Sequence, residues 1–432
     1  MKKREVRALT PNDMKAYMEI YLNAYPAGKD FSDECYEKYY RRNFQSMTEF
    51  EDVNFFGLFE YEDAAEVSEE TLIATMKLID FDMNLYGEMH RAVGLMALGV
   101  HPMHKRKGAA RDMVRFFEEY TAKSGGCVSM LLPFRMDFYK KLGYGCGTKL
   151  DEYHIRTDYL PTAAREELAG LRLLGKDEAA LTVDCYTEFV KQSHGAVCKF
   201  AEEVRDILED DEVRRIGCFE GGRLVGYATF SFENTSDCNY TLNLMDVKEL
   251  VYFEPAVLRK LLAGLRLQAD LAQSVIIRSG EPEFYHLLES CQDMSGNYID
   301  FGFLQTNVSA IGTMYKICDV EAFVKAAAHR SFPQLKLSAG FAVTDDVEGT
   351  EQKFVLDFEN GRWEYCGELG AYEAAEVHVS CLRSDLSSLL MGSAEFGGLA
   401  RLGKMKTDKS EYVRTLDSLL HAEQKPFTNT DY

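Results

Sequence analysis

The rhythm of apolar positions divides the chain into stretches of different character. Over 11–25 the residues Met14, Tyr17, Met18, Ile20 and Tyr21 recur at helical spacing. Thr10 stands where an N-cap would, and Pro11 occupies the first helical position. The segments 55–61 and 72–79 read as two strands, joined by an acidic stretch, 62–70, as an exposed hairpin loop. Residues 92–100, AVGLMALGV, are almost wholly apolar, the pattern of a strand buried on both faces. Helical spacing returns over 109–120, with Met113, Phe116 and Phe117 inward. A short buried strand follows at 128–132, then a short helix at 137–142 that Gly143 ends.

The same order returns more faintly further on. Residues 216–219 and 224–232 flank the turn Gly221-Gly222 as a hairpin, and 247–253 reads as a strand. A helix at 256–267, a strand at 274–277 and a short helix at 283–288 complete the repeat, which predicts an internal duplication. From about 314 the pattern changes to strands such as 353–358 and 376–380, with a turn at Asn360-Gly361. A helix at 385–391 stopped by Gly392, a last helix at 409–420 and the extended tail QKPFTNTDY close the chain. The expectation is a mixed α/β fold with two related α/β units, 1–150 and 151–308. A separate α+β unit follows over 309–432.

Composition changes the picture in three respects. The 432 residues hold 70 acidic against 49 basic side chains, a net charge of −21 that disfavours nucleic acid and favours cationic partners. Eleven cysteines without a CxxC pair read as reduced thiols of a cytoplasmic protein. The opening MKKREVRALTPNDMKAY lacks the apolar core of a signal peptide, and no apolar run approaches a membrane span. The expected partner is therefore a small molecule, not nucleic acid or a membrane.

Candidate chemistry concentrates in ALGVHPMHKRKGAARDMVRFFEEY, residues 97–120. A buried strand ends at Val100, a basic turn with Gly108 follows, and a helix begins at once. Amides at a helix N-terminus bind phosphate oxygens, and the small residues Gly108, Ala109 and Ala110 allow close approach. The turn is neither a Walker loop nor a GxGxxG dinucleotide loop. A basic turn of this kind also serves as a plain solvated surface. His101 and His104 offer a metal pair or a base, but no further ligand cluster accompanies them and no metal is expected. In the second unit the equivalent turn, VYFEPA at 251–256, has no glycine and adds the wrong charge at Glu254, so one phosphate cradle per chain is expected.

Lys105-x-x-Gly108-x-Ala110 resembles the Gln/Arg-x-x-Gly-x-Gly/Ala acetyl-coenzyme A motif of the GNAT acetyltransferases, with Lys105 as the departure. Val100-His101-Pro102 matches the VxP that precedes that motif, and Phe138-Tyr139-Lys140-Lys141-Leu142-Gly143-Tyr144 resembles the family's FYxKxGF segment. Two GNAT-like units followed by a domain resembling sterol carrier proteins is the plan of the Eis (enhanced intracellular survival) acetyltransferases. That resemblance covers essentially the whole chain. It implies tandem GNAT folds, the first active and the second degenerate, and acetyl transfer from acetyl-CoA to a primary amine of a small cationic molecule. An aminoglycoside, a polyamine or a lysine side chain fits that description. It implies coenzyme contacts by the amides of Leu98, Gly99 and Val100, by Arg106, Lys107, Gly108, Ala109, Ala110 and Arg111, and by Phe134 and Arg135. It implies Tyr139 as general acid and the terminal carboxylate of Tyr432 as general base, with Asp431 beside the substrate and Tyr144 as packing. It also implies a hexamer. The competing reading is a binding module in which the C-terminal domain holds an apolar ligand and the GNAT unit senses coenzyme.

Overall fold

The computed structural model describes residues 3–26, 32–61, 70–347, 349–430 and 432. The acidic loop expected over 62–70, up to the strand that begins at Glu70, and Asp431 lie outside the described residues.

The first sheet collects β1 (Lys3–Ala8), β2 (Val53–Tyr61), β3 (Glu70–Leu85), β4 (Glu88–Val100), β5 (Val128–Leu131) and β6 (Gly145–Cys146). Helices α1 (Met14–Ala24) and α2 (Asp33–Glu49) cover one face, and α3 (Ala109–Lys123) the other. The short α4 (Met136–Lys141) follows β5. β3 outruns its expected end at 79 because alternation continues through the buried Phe81, Met83 and Leu85. Helix α2 escaped the apolar pattern because the only residues it fully buries are Asn43 and Ser46.

The second sheet uses β7 (Lys149–Arg156), β8 (Leu171–Leu174), β9 (Arg214–Glu220), β10 (Arg223–Asn234), β11 (Asn243–Tyr252) and β12 (Ala272–Ser279). Its helices are α5 (Ala179–Val190), α6 (Ala201–Glu209) and α7 (Pro255–Arg266). A small hairpin, β13 (Tyr298–Ile299) with β14 (Phe303–Leu304), precedes the edge strand β15 (Val308–Ile311). The strand order is β15-β7-β12-β11-β10-β9-β8.

The chain then returns to the first sheet. β16 (Met314–Ile317) inserts between β5 and β6, antiparallel to both, giving the order β1-β2-β3-β4-β5-β16-β6. The last region has α8 (Val320–Ala326), β17 (Leu337–Thr344), β18 (Glu351–Glu359), β19 (Arg362–Cys366), α9 (Leu369–Ala374) and β20 (Val377–Leu382). It ends with α10 (Arg383–Leu390), α11 (Phe396–Arg401), β21 (Lys406–Thr407) and α12 (Val413–Leu420). Asn360 and Gly361 both take positive φ, which closes the β18–β19 hairpin as the sequence predicts. The largest apolar core runs continuously from α1 and β3 through β16 to α12 and Tyr432, so the C-terminal region and the first sheet share one interior. All eleven cysteines are free thiols.

Candidate active site

β4 is not buried on both faces along its whole length, as its composition suggested. Ala92 to Leu95 are buried, whereas Met96, Ala97, Leu98 and Val100 are half-exposed. The reason lies in the pairing. β5 runs parallel to β4 only over Ala92–Leu95, and beyond Leu95 the edge of β4 that faces β5 has no strand partner among the described residues. The register with β3 shifts between Thr75 and Lys77, which places one extra residue in β4. Ala97 takes φ +53° at this bulge, a costly conformation for a residue with a Cβ. Leu98, Gly99 and Val100 therefore border the gap left where β5 ends at Leu131 while β4 runs on. The Tyr25 hydroxyl donates to the Leu98 carbonyl at 3.0 Å and closes one side of it.

The basic turn leads out of this gap. Arg106 has φ +61° and Gly108 φ +88°. Gly108 is the N-cap of α3 and brings no capping side chain, so the first-turn amides of Ala109, Ala110 and Arg111 are capped by none. Arg106, Lys107 and Arg111 are exposed around them. A Cβ at Gly108 would meet nothing closer than Arg4 at 3.8 Å, so the need for glycine lies in the backbone. Arg4 donates to the Lys107 carbonyl at 2.9 Å and pairs with Asp112 at 2.9 Å and Glu60 at 3.2 Å. It pins the turn from β1, and the sequence pattern did not single it out. Phenyl and guanidinium groups of Phe134 and Arg135 stand in solvent before α4, with Arg135 paired to Asp137 at 2.5 Å.

Tyr139 is 6% exposed and packs at 5.9 Å against Tyr144, which is fully buried and donates nothing to the gap. Burial pushes the Tyr139 phenol up to about 12. His101 caps a short turn, accepting from the Met103 amide at 3.3 Å. Among the described residues no three His, Cys, Asp or Glu side chains converge as metal ligands.

The chain terminus is buried in the core that β3 shares with the C-terminal region, a cluster distinct from the one that holds Tyr139. Thr148 holds the Pro426 carbonyl at 2.6 Å, the Phe427 amide donates to His194 at 3.1 Å, and the Thr430 hydroxyl donates to Val197 at 3.2 Å. These bonds thread the tail between the two sheets. The Tyr432 ring, 8% exposed, packs edge-on to Phe81 at 5.2 Å, and Gly94 of β4 makes room for it, since a Cβ there would come within 3.1 Å. Its hydroxyl is buried without a hydrogen-bond partner.

On the α1 side, Tyr17, Tyr21, Tyr25 and Tyr39 form a chain of ring contacts 5.6 to 6.0 Å apart. Behind them Lys77 of β3 meets Glu202 of α6 at 3.2 Å, with Arg42 at 2.8 Å and Ser46 at 2.7 Å on the same carboxylate. Burial pushes Glu202 up, but Lys77, Arg42 and Ser46 together hold it down to about 2. Lys77 is lowered by burial, which outweighs its partner.

The uncapped helix start, the positive-φ turn with its cations and the strand that runs past its neighbour fit acetyl-CoA: an anion seat at one end, an open strand edge beyond it and a buried phenol. Residues 5–147 match the acetyltransferase (GNAT) domain family, and residues 320–429 match the sterol carrier protein domain family. Eis1 from Mycobacterium abscessus shares the fold at TM-score 0.74 and 16% identity, over 100% of both chains. A GCN5-related N-acetyltransferase from Anabaena variabilis does so at TM-score 0.73 and 15% identity, again over 100% of both. A probable N-acyltransferase from Enterococcus faecalis gives TM-score 0.73 and 15% identity over 100% of both. Comparison of the sequence with curated proteins returns no match. The chain thus carries an acetyltransferase (GNAT) domain over residues 5–147 and a sterol carrier protein domain over residues 320–429.

Proposed function

We propose that the chain transfers the acetyl group of acetyl-CoA to a primary amine of a small cationic molecule, of aminoglycoside, polyamine or lysine type. The observation that carries this reading is the edge of β4 left without a strand partner past the end of β5, at the Ala97 bulge, together with the uncapped start of α3 and the buried Tyr139. The GCN5-related N-acetyltransferase that shares the fold supports the choice of nitrogen as acceptor atom.

When bound, acetyl-CoA supplies the activated acetyl group. Arg106, Lys107 and Arg111 offer charge to its phosphates, and the amides of Gly108, Ala109 and Ala110 offer donors. Phe134 and Arg135 flank its far side. Leu98, Gly99 and Val100 present backbone donors where the carbonyl oxygen gains charge. Tyr139 keeps its proton at neutral pH and donates it to the departing sulfur. The carboxylate of Tyr432 accepts the proton that the amine loses, held in place by its ring against Phe81. The tyrosine faces of α1 and α2 and the overall charge of −21 suit a cation.

The same reading includes a hexamer, a cytoplasmic location and three units bounded at 1–150, 151–308 and 309–432. Exposed aromatic side chains such as Phe301 (98%) and Tyr240 (88%) favour assembly, and eleven free thiols favour a reducing compartment. The test is thiol release from acetyl-CoA with a panel of aminoglycosides, polyamines and lysine peptides. Turnover on one class, lost in Tyr139→Phe, supports the reading. Coenzyme binding without turnover on any amine overturns it.

A further inference from the structure

A second cleft, of about 530 Å³, lies where the two sheets and the C-terminal region meet. Lys140, next along α4 from Tyr139, lines it, as do Gly145 and Thr148 beyond α4 and Asp385 and Ser388 of α10. Pro282, Ile311, Leu399 and Leu402 are its larger apolar wall residues, and Asp151 lines it as well. The packing that forms it is tight: a Cβ on Gly145 would come within 2.4 Å of the Ser388 hydroxyl.

Two features of this cleft have no structural partner. Lys140, Lys149, Lys404 and Lys425 all line it, and none forms an ion pair among the described residues. In a chain of net charge −21, four ammonium groups set against the carboxylates of Asp151 and Asp385 give this one cavity a local excess of positive charge. Lys149, Lys404 and Lys425 are exposed at the rim, and Lys140 is half-buried. The second feature is Asp385. It is 6% exposed, and one of its carboxyl oxygens is buried without a hydrogen-bond partner. A buried acceptor left unmade costs about 1–3 kcal/mol, so a ligand donor there has something to gain. Burial pushes this carboxyl up, against the pull of Lys140 and Lys404. The hydroxyls of the wall are already committed: Ser388 and Ser393 donate to the Cys146 carbonyl at 3.0 and 2.6 Å, and Thr148 to Pro426.

We infer that this junction cleft is a second binding site, separate from the acetyl-transfer site, for a small organic phosphate with an apolar body and a hydrogen-bond donor. The rim lysines act as point charges on the phosphate oxygens. Leu399, Leu402 and Ile311 contact the apolar body. Asp385, more buried than the lysines, accepts from the ligand's hydroxyl or amine.

Calorimetric titration of the full chain with 6-hydroxyhexyl phosphate tests this, with hexyl phosphate, inorganic phosphate and hexylamine as comparisons. Each titration is run with and without saturating coenzyme A. The expected result is one site per chain for 6-hydroxyhexyl phosphate, unchanged by coenzyme A, with inorganic phosphate at least tenfold weaker and hexylamine silent. The double variant Lys404→Gln/Lys425→Gln, both exposed positions, weakens the probe at least tenfold. Asp385→Asn weakens 6-hydroxyhexyl phosphate at least threefold while leaving hexyl phosphate unchanged, and that selectivity separates a ligand contact from a folding defect. Displacement by coenzyme A, affinity unaffected by the lysine variants, or no binding of either organic phosphate overturns the inference. Binding is read as heat, so a chain that binds the probe yet acetylates nothing refutes the transfer mechanism and leaves this site standing.

Discussion

The two sheets make the same opening and use it differently. In both, the strand before the covering helix runs parallel to its next neighbour for four residues and then goes on alone: β4 beside β5 over Ala92–Leu95, β11 beside β12 from Asn243 to Asp246. In both, the register with the preceding strand shifts, at Thr75/Lys77 and at Thr229/Phe230. What differs is the connection to the helix. The first sheet spends residues 101–108 on it, with positive φ at Arg106 and Gly108. The second has only Phe253 and Glu254, with Glu254 extended at φ −130° and Pro255 starting α7. A tyrosine follows each opening, but Tyr139 is 6% exposed and Tyr285 41%. The strand that runs past its neighbour is thus a property of the fold, whereas an anion seat needs left-handed residues and cations at one turn. The second unit serves instead as a buttress, since Glu202, Tyr186 and Val197 hold β3 and the tail.

The largest effect expected from breaking this contrast is at Tyr139. Tyr139→Phe lowers kcat by roughly 100- to 1,000-fold, with the KM for acetyl-CoA unchanged, as steady-state thiol release would measure. Because burial holds its phenol near about 12, the wild-type rate shows no alkaline limb from this group between pH 7 and roughly pH 10.

Next is the buttress. Glu202→Gln leaves Lys77 buried and unpaired and costs about 3 kcal/mol, measured by urea unfolding at pH 7. The folded carboxyl lies below its ordinary 4.5, so its contribution is complete above that pH and fades as pH falls towards about 2. The free energy of unfolding falls more steeply across that window, as pH is lowered, in wild type than in Glu202→Gln.

Deletion of Tyr432 lowers kcat roughly 30-fold, while Tyr432→Phe keeps wild-type activity and stability within about 1 kcal/mol, because its hydroxyl is buried without a partner. An equal loss in both variants would move the role from the carboxylate to the phenol. Gly108→Val raises the KM for acetyl-CoA about tenfold, since a β-branched residue at φ +88° costs about 1–2 kcal/mol. The smallest effect is in the second unit: Glu254→Lys restores charge but not backbone shape, and calorimetry still finds one acetyl-CoA per chain.

Much of this was legible in order along the chain. The turn from Lys105 to Ala110, its missing counterpart at Glu254 and the Tyr139 segment all stand in short windows where residue type and spacing are enough to predict a turn into a helix. Helix α2 did not, because its inward face is built of Tyr36, Tyr39, Tyr40, Asn43 and Ser46 and shows no aliphatic stripe. Arg4 did not, because its role depends on β1 lying beside a turn one hundred residues later. Nor does order along the chain announce that Met314–Ile317 completes the first sheet after an entire second sheet has formed.

By itself the sequence marked out most elements of the first unit, the basic glycine-containing turn before α3 and a tyrosine able to donate a proton, since local backbone preference and side-chain chemistry act over a few residues. Tertiary structure alone decided the opening of β4 at Ala97, the burial that raises Tyr139, the Lys77–Glu202 pair and the delivery of Tyr432 to Phe81. Each of these depends on which distant strands and helices meet, and on the loss of water where they do. Neither quantity is carried by any single stretch of the chain.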